Sequence, residues 1–159
     1  MIEQLERIEH RETIRTLISR SAKYLDDRRY SDFIKLFVKK GKYILEAESD
    51  EIGRSMTWLE MSRDELADLL KESPQHVHDL AERIHLVSLD EITFDNSCEA
   101  AQASSAFAVF RTDTTGVTQV YAVGRYDDRL VRSGDVWRIR ERRVKVQTRM
   151  FRTPTPTPL

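Results

Sequence analysis

The sequence is poor in the residues that build metal clusters and phosphate sites. Cys98 is the only cysteine among 159 residues, and glycine occurs only five times. One cysteine cannot form an internal disulfide, a four-cysteine zinc site or a cysteine-held iron–sulfur cluster. We find no glycine-rich phosphate loop and no Ser–His–Asp pattern for nucleophilic catalysis.

The sequence also lacks an excess of either charge and any long apolar run. Lys and Arg number 26 against 27 Asp and Glu, which gives a net charge of -1. This balance disfavours a generic nucleic-acid binder, because such proteins gain affinity from basic surfaces that release counterions. No apolar run approaches the roughly 20 residues that cross a bilayer, and the charged N-terminus lacks a signal-peptide core. We therefore expect a cytoplasmic protein that binds neither nucleic acid nor a membrane.

The apolar pattern that is present predicts a single α+β domain over 1–152. Apolar residues recur at three- and four-residue steps from Ile14 to Leu25, which predicts a long N-terminal helix. The period then changes to that of strands, with one further helix in between. The predicted later elements are a short helix at 31–37, strands near 43–48 and 56–59, a helix from 62 to 73, and long strands near 83–94, 99–111, 118–131 and 136–149. This order predicts a curved, mixed or antiparallel sheet wrapped around the first helix.

Three local features sharpen this prediction. Ser62 and Glu65 have the capping-box spacing that begins a helix, and Ser73-Pro74 should end that helix. Alternation in the last strand changes parity, which indicates a β-bulge near residues 141–143. The prolines of the segment 153–159 cannot donate ladder hydrogen bonds, so we expect an extended tail there.

Several motifs resemble those of the small (β) subunits of aromatic-ring-hydroxylating dioxygenases, within the nuclear-transport-factor-2-like group. The first is Y-L-D-D-R-R-Y-S-D-F-I-K-L-F at 24–37, and the second is the Met-then-acidic stretch 56–70. The third is H-L-V-S at 85–88. The most specific is the closing hairpin, G-R-Y-D-D-R-L-V at 124–131 followed by W-R-I-R-E-R-R-V at 137–144. The resemblance spans about residues 10–148.

The resemblance implies a cystatin-like cone and a non-catalytic role in a multicomponent Rieske non-haem iron oxygenase. Such a β subunit forms trimers and supports catalytic α subunits in an α3β3 hexamer. The α subunit is expected to carry the Rieske [2Fe-2S] cluster and the mononuclear Fe(II), and ferredoxin and reductase act through it. We expect no cofactor and no metal in this chain.

An alternative is a stand-alone, cofactor-free isomerase or dehydratase of the ketosteroid isomerase or scytalone dehydratase type. In relatives with catalytic pockets, tyrosines, an aspartate and a histidine point into the cone, and this implies Tyr24, Asp26, Tyr43 and His85 here. A carboxylate or imidazole would act as the base while a phenol stabilises an enolate oxygen. Without such a site, Asp26 would cap the helix end or pair with a nearby arginine.

The interior of the cone separates these two hypotheses. An open polar pocket on which Tyr24, Asp26 and His85 converge would favour the enzyme. A mouth filled by Phe33, Phe37, Trp58 and other side chains would favour the assembly subunit.

A metal site at His76, His78 and Asp79 is a weaker hypothesis. The two histidines have the same-face spacing of a strand. A solvated loop is the alternative, because nothing in the sequence fixes a third ligand.

Charge is unevenly distributed along the chain. Residues 125–152 contain ten Lys or Arg against four Asp or Glu, whereas residues 46–72 contain nine Asp or Glu against three Lys or Arg. We expect these regions to meet across subunit boundaries, since oppositely charged surfaces orient partners. The interface candidates are Arg138, Arg140, Arg142 and Arg143. We also expect a trimer formed through the long strands, to which the tail contributes.

Overall fold

The computed structural model describes residues 1–51, 53–76, 79–153 and 157–159. In this part of the chain three helices and six strands form in the order α1, α2, β1, β2, α3, β3, β4, β5, β6. Their bounds are α1 Ile2–Asp26, α2 Tyr30–Lys35, α3 Arg63–His76, β1 Phe37–Ser49, β2 Arg54–Ser62, β3 Glu82–Phe94, β4 Ala100–Thr112, β5 Thr118–Ser133 and β6 Val136–Val146. None of the helices described is long and apolar enough to span a bilayer.

The six strands form one curved, unclosed sheet in the order β2-β1-β6-β5-β4-β3. The β1–β6 pair is parallel, and the other neighbouring pairs are antiparallel. Helix α1 packs against β3 and β6, while α3 covers β1 and β2. The predicted α+β cone is therefore confirmed, and β1 is longer than predicted because it begins already at Phe37.

The core lies between α1 and the concave face of the sheet. Ile14, Leu17 and Ile18 are buried along one side of α1, as their spacing predicts. The predicted bulge in β6 is present but centred on Arg140, because the pairing moves from Arg129–Glu141 to Leu130–Ile139. The extra residue switches the parity of β6, and this brings the later side chains Arg142, Val144 and Val146 inside.

Helix α3 begins as predicted and ends later than predicted. The Ser62 hydroxyl accepts the Glu65 N–H at 3.2 Å, and the Glu65 carboxylate accepts the Ser62 N–H at 2.8 Å. The capping box is thus confirmed. The helix nevertheless continues through Ser73-Pro74 to His76. A proline so close to the end of a helix removes only one of the last backbone bonds, which is why the predicted stop is wrong.

The end of the predicted tail packs inside its own chain. Pro158 and Leu159 are buried, and Leu159 is only 1% exposed. Residues 154–156 lie outside the described residues. Leu159 thus packs against the chain's own core, and the contribution of the tail to a trimer stays a prediction.

Candidate functional site

The end of helix α1 brings Asp26 to the inner face of β3, where it holds His85. One carboxylate oxygen of Asp26 lies 2.5 Å from His85 Nδ1, and the other accepts the His85 backbone N–H at 2.9 Å. The His85 side chain is 3% exposed and that of Asp26 is 17% exposed. Asp26 therefore fixes both the backbone and the ring of His85. The enzyme hypothesis expected these two residues to lie together, and they do.

The second ring nitrogen of His85 is the reactive feature of this pair. His85 Nε2 is buried and has no hydrogen-bond partner among the described residues. We assign the ring proton to Nδ1, because that nitrogen faces the Asp26 carboxylate and must donate to it. Nε2 then presents a lone pair, and it can accept a proton from a bound molecule.

Tyr43 lies on β1 and is buried in the core. Its hydroxyl accepts the Leu159 N–H at 3.0 Å and lies 3.4 Å from the Leu159 carbonyl oxygen, to which it donates. Burial raises the pKa of Tyr43 to about 12. At neutral pH this phenol therefore stays protonated and acts as a hydrogen-bond donor.

Tyr24 is not joined to the pair in the same way. It is half-buried, and the Arg29 guanidinium lies 4.8 Å from the centre of its ring. No hydrogen bond joins Tyr24 to Asp26 or His85 among the described residues. Of the four predicted site residues, the structure joins Asp26 to His85 directly and uses Tyr43 to hold Leu159.

Two further polar groups on the concave face went unnoticed in the sequence. The hydroxyls of Ser105 and Tyr126 are buried without hydrogen-bond partners in the described part of the chain. The two residues are direct cross-strand neighbours on β4 and β5. Phe107 stacks on Tyr126 at 4.4 Å, and burial raises the pKa of the Tyr126 hydroxyl. Tyr126 and Leu130 are four residues apart on one strand and therefore share a face. The alternation that predicts Leu130 inside thus also predicts Tyr126 inside, so the sequence did carry a signal for this residue.

The four arginines predicted at a subunit interface have different environments. Arg138 and Arg140 are exposed and form no ion pair among the described residues. Arg143 is half-buried and pairs with Glu46 and Glu141 of its own chain. Arg142 is fully buried and binds Asp128 with two hydrogen bonds of 2.8 Å. The prediction for Arg142 is therefore wrong, because the bulge at Arg140 turns this side chain into the core.

The cone interior fits neither of the two expectations in full, the open polar pocket or the mouth filled by aromatic side chains. Asp26 and His85 do meet, but Phe33 and Phe37 are buried in the core at 0% and 1% exposure. Trp58 remains 37% exposed on the edge strand β2, and Leu159 is buried in the core. A cleft of about 670 Å³ lies elsewhere and is lined in part by Lys40, Lys42, Arg129 and Arg140.

The metal hypothesis for residues 76–79 gains no support. His78 lies outside the described residues, as does the side chain of His76. Asp79 is held by Arg111 in a two-bond contact of 2.7 and 3.1 Å, and these bonds lower its pKa to about 2. Within the residues that the structure describes, no cluster of three His, Cys, Asp or Glu side chains could hold a metal ion.

The fold and the site together define a cystatin-like cone with a buried Asp–His pair inside it. A family model of the SnoaL-like domain matches residues 6–143. The chain therefore belongs to the SnoaL-like family.

Two characterised relatives are subunits of oxygenases. The chain is 27% identical over 125 residues to the β subunit of the methanesulfonate monooxygenase hydroxylase from Methylosulfonomonas methylovora, covering 74% of this chain and 69% of that one. It is 20% identical over 139 residues to the β subunit of 2-aminobenzenesulfonate 2,3-dioxygenase from an Alcaligenes species, covering 87% and 92%. The resemblance to dioxygenase β subunits is thus confirmed.

Solved structures with the same fold include both subunits and enzymes. The β subunit of a proposed aromatic-ring-hydroxylating dioxygenase from Novosphingobium aromaticivorans superposes with a TM-score of 0.78 at 24% identity, over 93% of each chain. A proposed scytalone dehydratase from the same organism gives a TM-score of 0.63 at 17% identity, over 93% of this chain and 89% of that one.

Proposed function

We propose that this chain is the non-catalytic β subunit of a Rieske non-haem iron aromatic-ring-hydroxylating dioxygenase. The observation that carries the proposal is its similarity to two oxygenase β subunits over most of its length. A Rieske centre takes two cysteines and two histidines, and this chain has one cysteine. The cluster and the catalytic Fe(II) would therefore belong to a partner α subunit, which ferredoxin and reductase would supply with electrons in the cytoplasm.

The outer face of the sheet supports a role in assembly. Ile84, Leu86 and Val120 are 58%, 59% and 60% exposed there. The pairs Ile84–Phe110, Leu86–Ala108 and Phe110–Val120 make them one apolar patch across β3, β4 and β5. An apolar surface at the edge of a sheet is typical of a protein contact. We propose that this outer-face patch contributes to a trimer within an α3β3 hexamer, with exposed Arg138 and Arg140 orienting the subunits.

Co-expression with a Rieske-type large subunit tests the assembly role. We expect the two chains to co-purify, and the mass from light scattering should fit three copies of each. Iron analysis should find the metal only when the large subunit is present. Separate elution of the two folded chains would contradict the proposal.

The Asp26–His85 pair supports a second candidate, a cofactor-free isomerase or dehydratase. His85 Nε2 would take a proton from a carbon beside a carbonyl group, while Asp26 stabilises the imidazolium that forms. A protonated phenol, Tyr43 or Tyr126, would donate a hydrogen bond to the enolate oxygen. The proton would then return from Nε2 to another carbon, or to a leaving hydroxyl group.

Deuterium exchange into 2-tetralone, followed by NMR, tests this second candidate. If the pair is catalytic, the protein should accelerate exchange at the carbon beside the carbonyl, and His85→Gln should abolish that acceleration. A Leu80→Ser control at a 73% exposed position should retain the acceleration. Exchange at the buffer rate would remove the enzyme hypothesis for this class of ketone.

A further inference from the structure

The pairing of β1 with β6 is interrupted beside the cleft of about 670 Å³. The ladder passes over residues 38–41 of β1 and over Arg140 of β6. A Cβ at Gly41 would lie 2.9 Å from the Val38 carbonyl oxygen, so the backbone of β1 closes tightly here. Irregular pairing of this kind turns side chains away from the regular ladder and is frequent beside functional sites. Lys40 and Arg140, one from each interrupted strand, both line the cleft.

The cleft presents cations that have no counter-charge. Lys40, Arg129 and Arg140 are exposed, and they form no ion pair within the part of the chain that the structure describes. The two carboxylates that line the cleft are already held. Glu141 pairs with an arginine outside the cleft, and Asp95 accepts two backbone N–H groups of its own turn. The free cations of this basic cleft therefore call for an anionic partner.

Helix α3 carries a complementary row of acids. Asp64, Asp68 and Glu72 are exposed, follow one another at four-residue steps and form no ion pair among the described residues. Residues four apart lie on the same side of a helix, about 6 Å from one another along its axis. Among the described side chains of this helix, Lys71 is the one exposed base, so the acidic row keeps a net negative charge.

The basic cleft and the acidic row match in length but lie on opposite sides of one chain. The cations stand on the adjacent strands β1, β6 and β5, which cover about 10 Å at the ordinary spacing of strands. The three carboxylates span about 12 Å along α3. The neighbours of Arg129 and Arg140 along their strands are buried, so these arginines point outward. Helix α3 packs Leu66 and Leu70 into the core on the inner side, so its acids cannot reach the cleft of the same chain.

We propose that the basic cleft of one chain binds the acidic row of α3 on a second copy of this chain. Arg129 and Arg140 suit this contact, because a guanidinium can bind a carboxylate with two hydrogen bonds. Since two different surfaces meet, the contact repeats from copy to copy until it closes a ring. The inference rests on the proposed function, whose trimer is such a ring, and it names the surfaces that orient neighbouring subunits. It does not involve the outer-face patch.

Charge reversal in the full chain tests this pairing by light scattering. Arg129→Glu with Arg140→Glu places carboxylates in the cleft, and Asp64→Lys with Asp68→Lys places amines on the row. Each pair of changes brings like charges together and should weaken self-association by about tenfold or more. A chain with all four reversals restores opposite charges between copies, so it should associate like the unaltered protein.

A matched control separates this contact from a general effect of net charge. Arg7→Glu with Arg20→Glu makes the same change of charge as the reversed cleft, at two exposed positions of α1. This control should associate like the unaltered protein.

Carbodiimide crosslinking of the unaltered protein locates the contact directly. The reagent joins a carboxylate to an amine that touches it, so it should link Asp68 or Glu72 to Lys40 or Lys42. A mixture of chains labelled with light and heavy nitrogen should show by mass spectrometry that each link joins two copies.

Three results would overturn the proposal. They are a monomeric unaltered protein, reversed variants that associate like it, and a folded chain with all four reversals that stays dissociated. Absence of the crosslink between copies would also overturn it, even if a reversed variant failed to fold. Co-purification with a large subunit is measured separately, so its failure would contradict the proposed function and leave this contact between copies intact.

Discussion

Arg142 and Asp128 form an ion pair that solvent does not reach. Both side chains are 0% exposed, and the pair has the two-bond geometry of a guanidinium on a carboxylate. The remaining Arg142 nitrogen donates to the Ser21 hydroxyl at 2.8 Å, which links β6 to helix α1. The guanidinium also lies over the Tyr126 ring at 4.4 Å. Because all these partners sit inside, the pair fixes how α1 sits on the sheet.

Arg142→Met should therefore destabilise the fold strongly. It leaves the Asp128 carboxylate buried without a counter-charge, which costs about 3–5 kcal/mol of the free energy of unfolding. Urea denaturation measures this loss. The exposed control Arg140→Met should stay within about 0.5 kcal/mol of the unaltered protein. The double variant Arg142→Met/Asp128→Leu should recover much of the loss, and a single variant as stable as the double would contradict this account.

Asp79 makes the free energy of unfolding depend on pH in the acid range. Its pKa is lowered to about 2 by Arg111, below the ordinary value of 3.8. The Arg111–Asp79 contact therefore contributes its full stabilisation of the folded state above pH 3.8. This contribution is lost as the pH falls through 2, since the unfolded chain binds the proton first. With allowance for partial exposure, we expect the unaltered protein to lose about 1–2 kcal/mol more than Asp79→Asn between pH 5 and pH 2.

Urea denaturation at several pH values measures that difference. Asp68→Asn, at an exposed position of α3, should keep the pH dependence of the unaltered protein. Parallel curves for the unaltered protein and Asp79→Asn would show that the Arg111 contact does not stabilise the fold.

At the scale of a single element, the stability of helix α3 depends on the reciprocal hydrogen bonds between Ser62 and Glu65. Ser62→Ala removes the hydroxyl that accepts the Glu65 N–H, and we expect a loss of about 1 kcal/mol in the free energy of unfolding. Ser62→Thr retains an accepting hydroxyl and should lose less. Ser55→Ala, at an exposed position of β2, is the matched control. Equal stability of all the variants in thermal melts would mean that packing alone holds α3.

Periodicity predicted the elements well because helices and strands bury residues at different intervals. The long α1, the capped start of α3 and the four long strands all follow from local sequence. The position of Arg142 did not follow, because an arginine in an alternating strand is normally assigned to solvent. Only the register of β5 and β6, with the bulge at Arg140, shows that its side chain meets Asp128.

The candidate site could be predicted only in part, because its contacts join residues that are far apart in the sequence. Asp26 and His85 are 59 residues apart, and the family resemblance, not local pattern, placed them together. The contact between Tyr43 and Leu159 spans 116 residues and has no local signal. The composition of a proline-rich tail predicts an extended segment, and only the folded chain shows that Leu159 packs into the core.

The outer-face patch should determine whether the molecule associates. Leu86 is 59% exposed and stands opposite Ala108, with Ile84 and Phe110 as the next pair on the same face. Leu86→Lys places a charge in an apolar contact, and an unpaired charge there would be desolvated on association. We expect the unaltered protein to form a trimer at micromolar concentration by light scattering, and the Leu86→Lys variant to shift toward monomer while keeping its fold.

Leu80→Lys adds the same charge at a position that is 73% exposed, and it should leave the trimer intact. A monomeric unaltered protein would exclude the trimer, and a trimer of Leu86→Lys would move the contact to another surface.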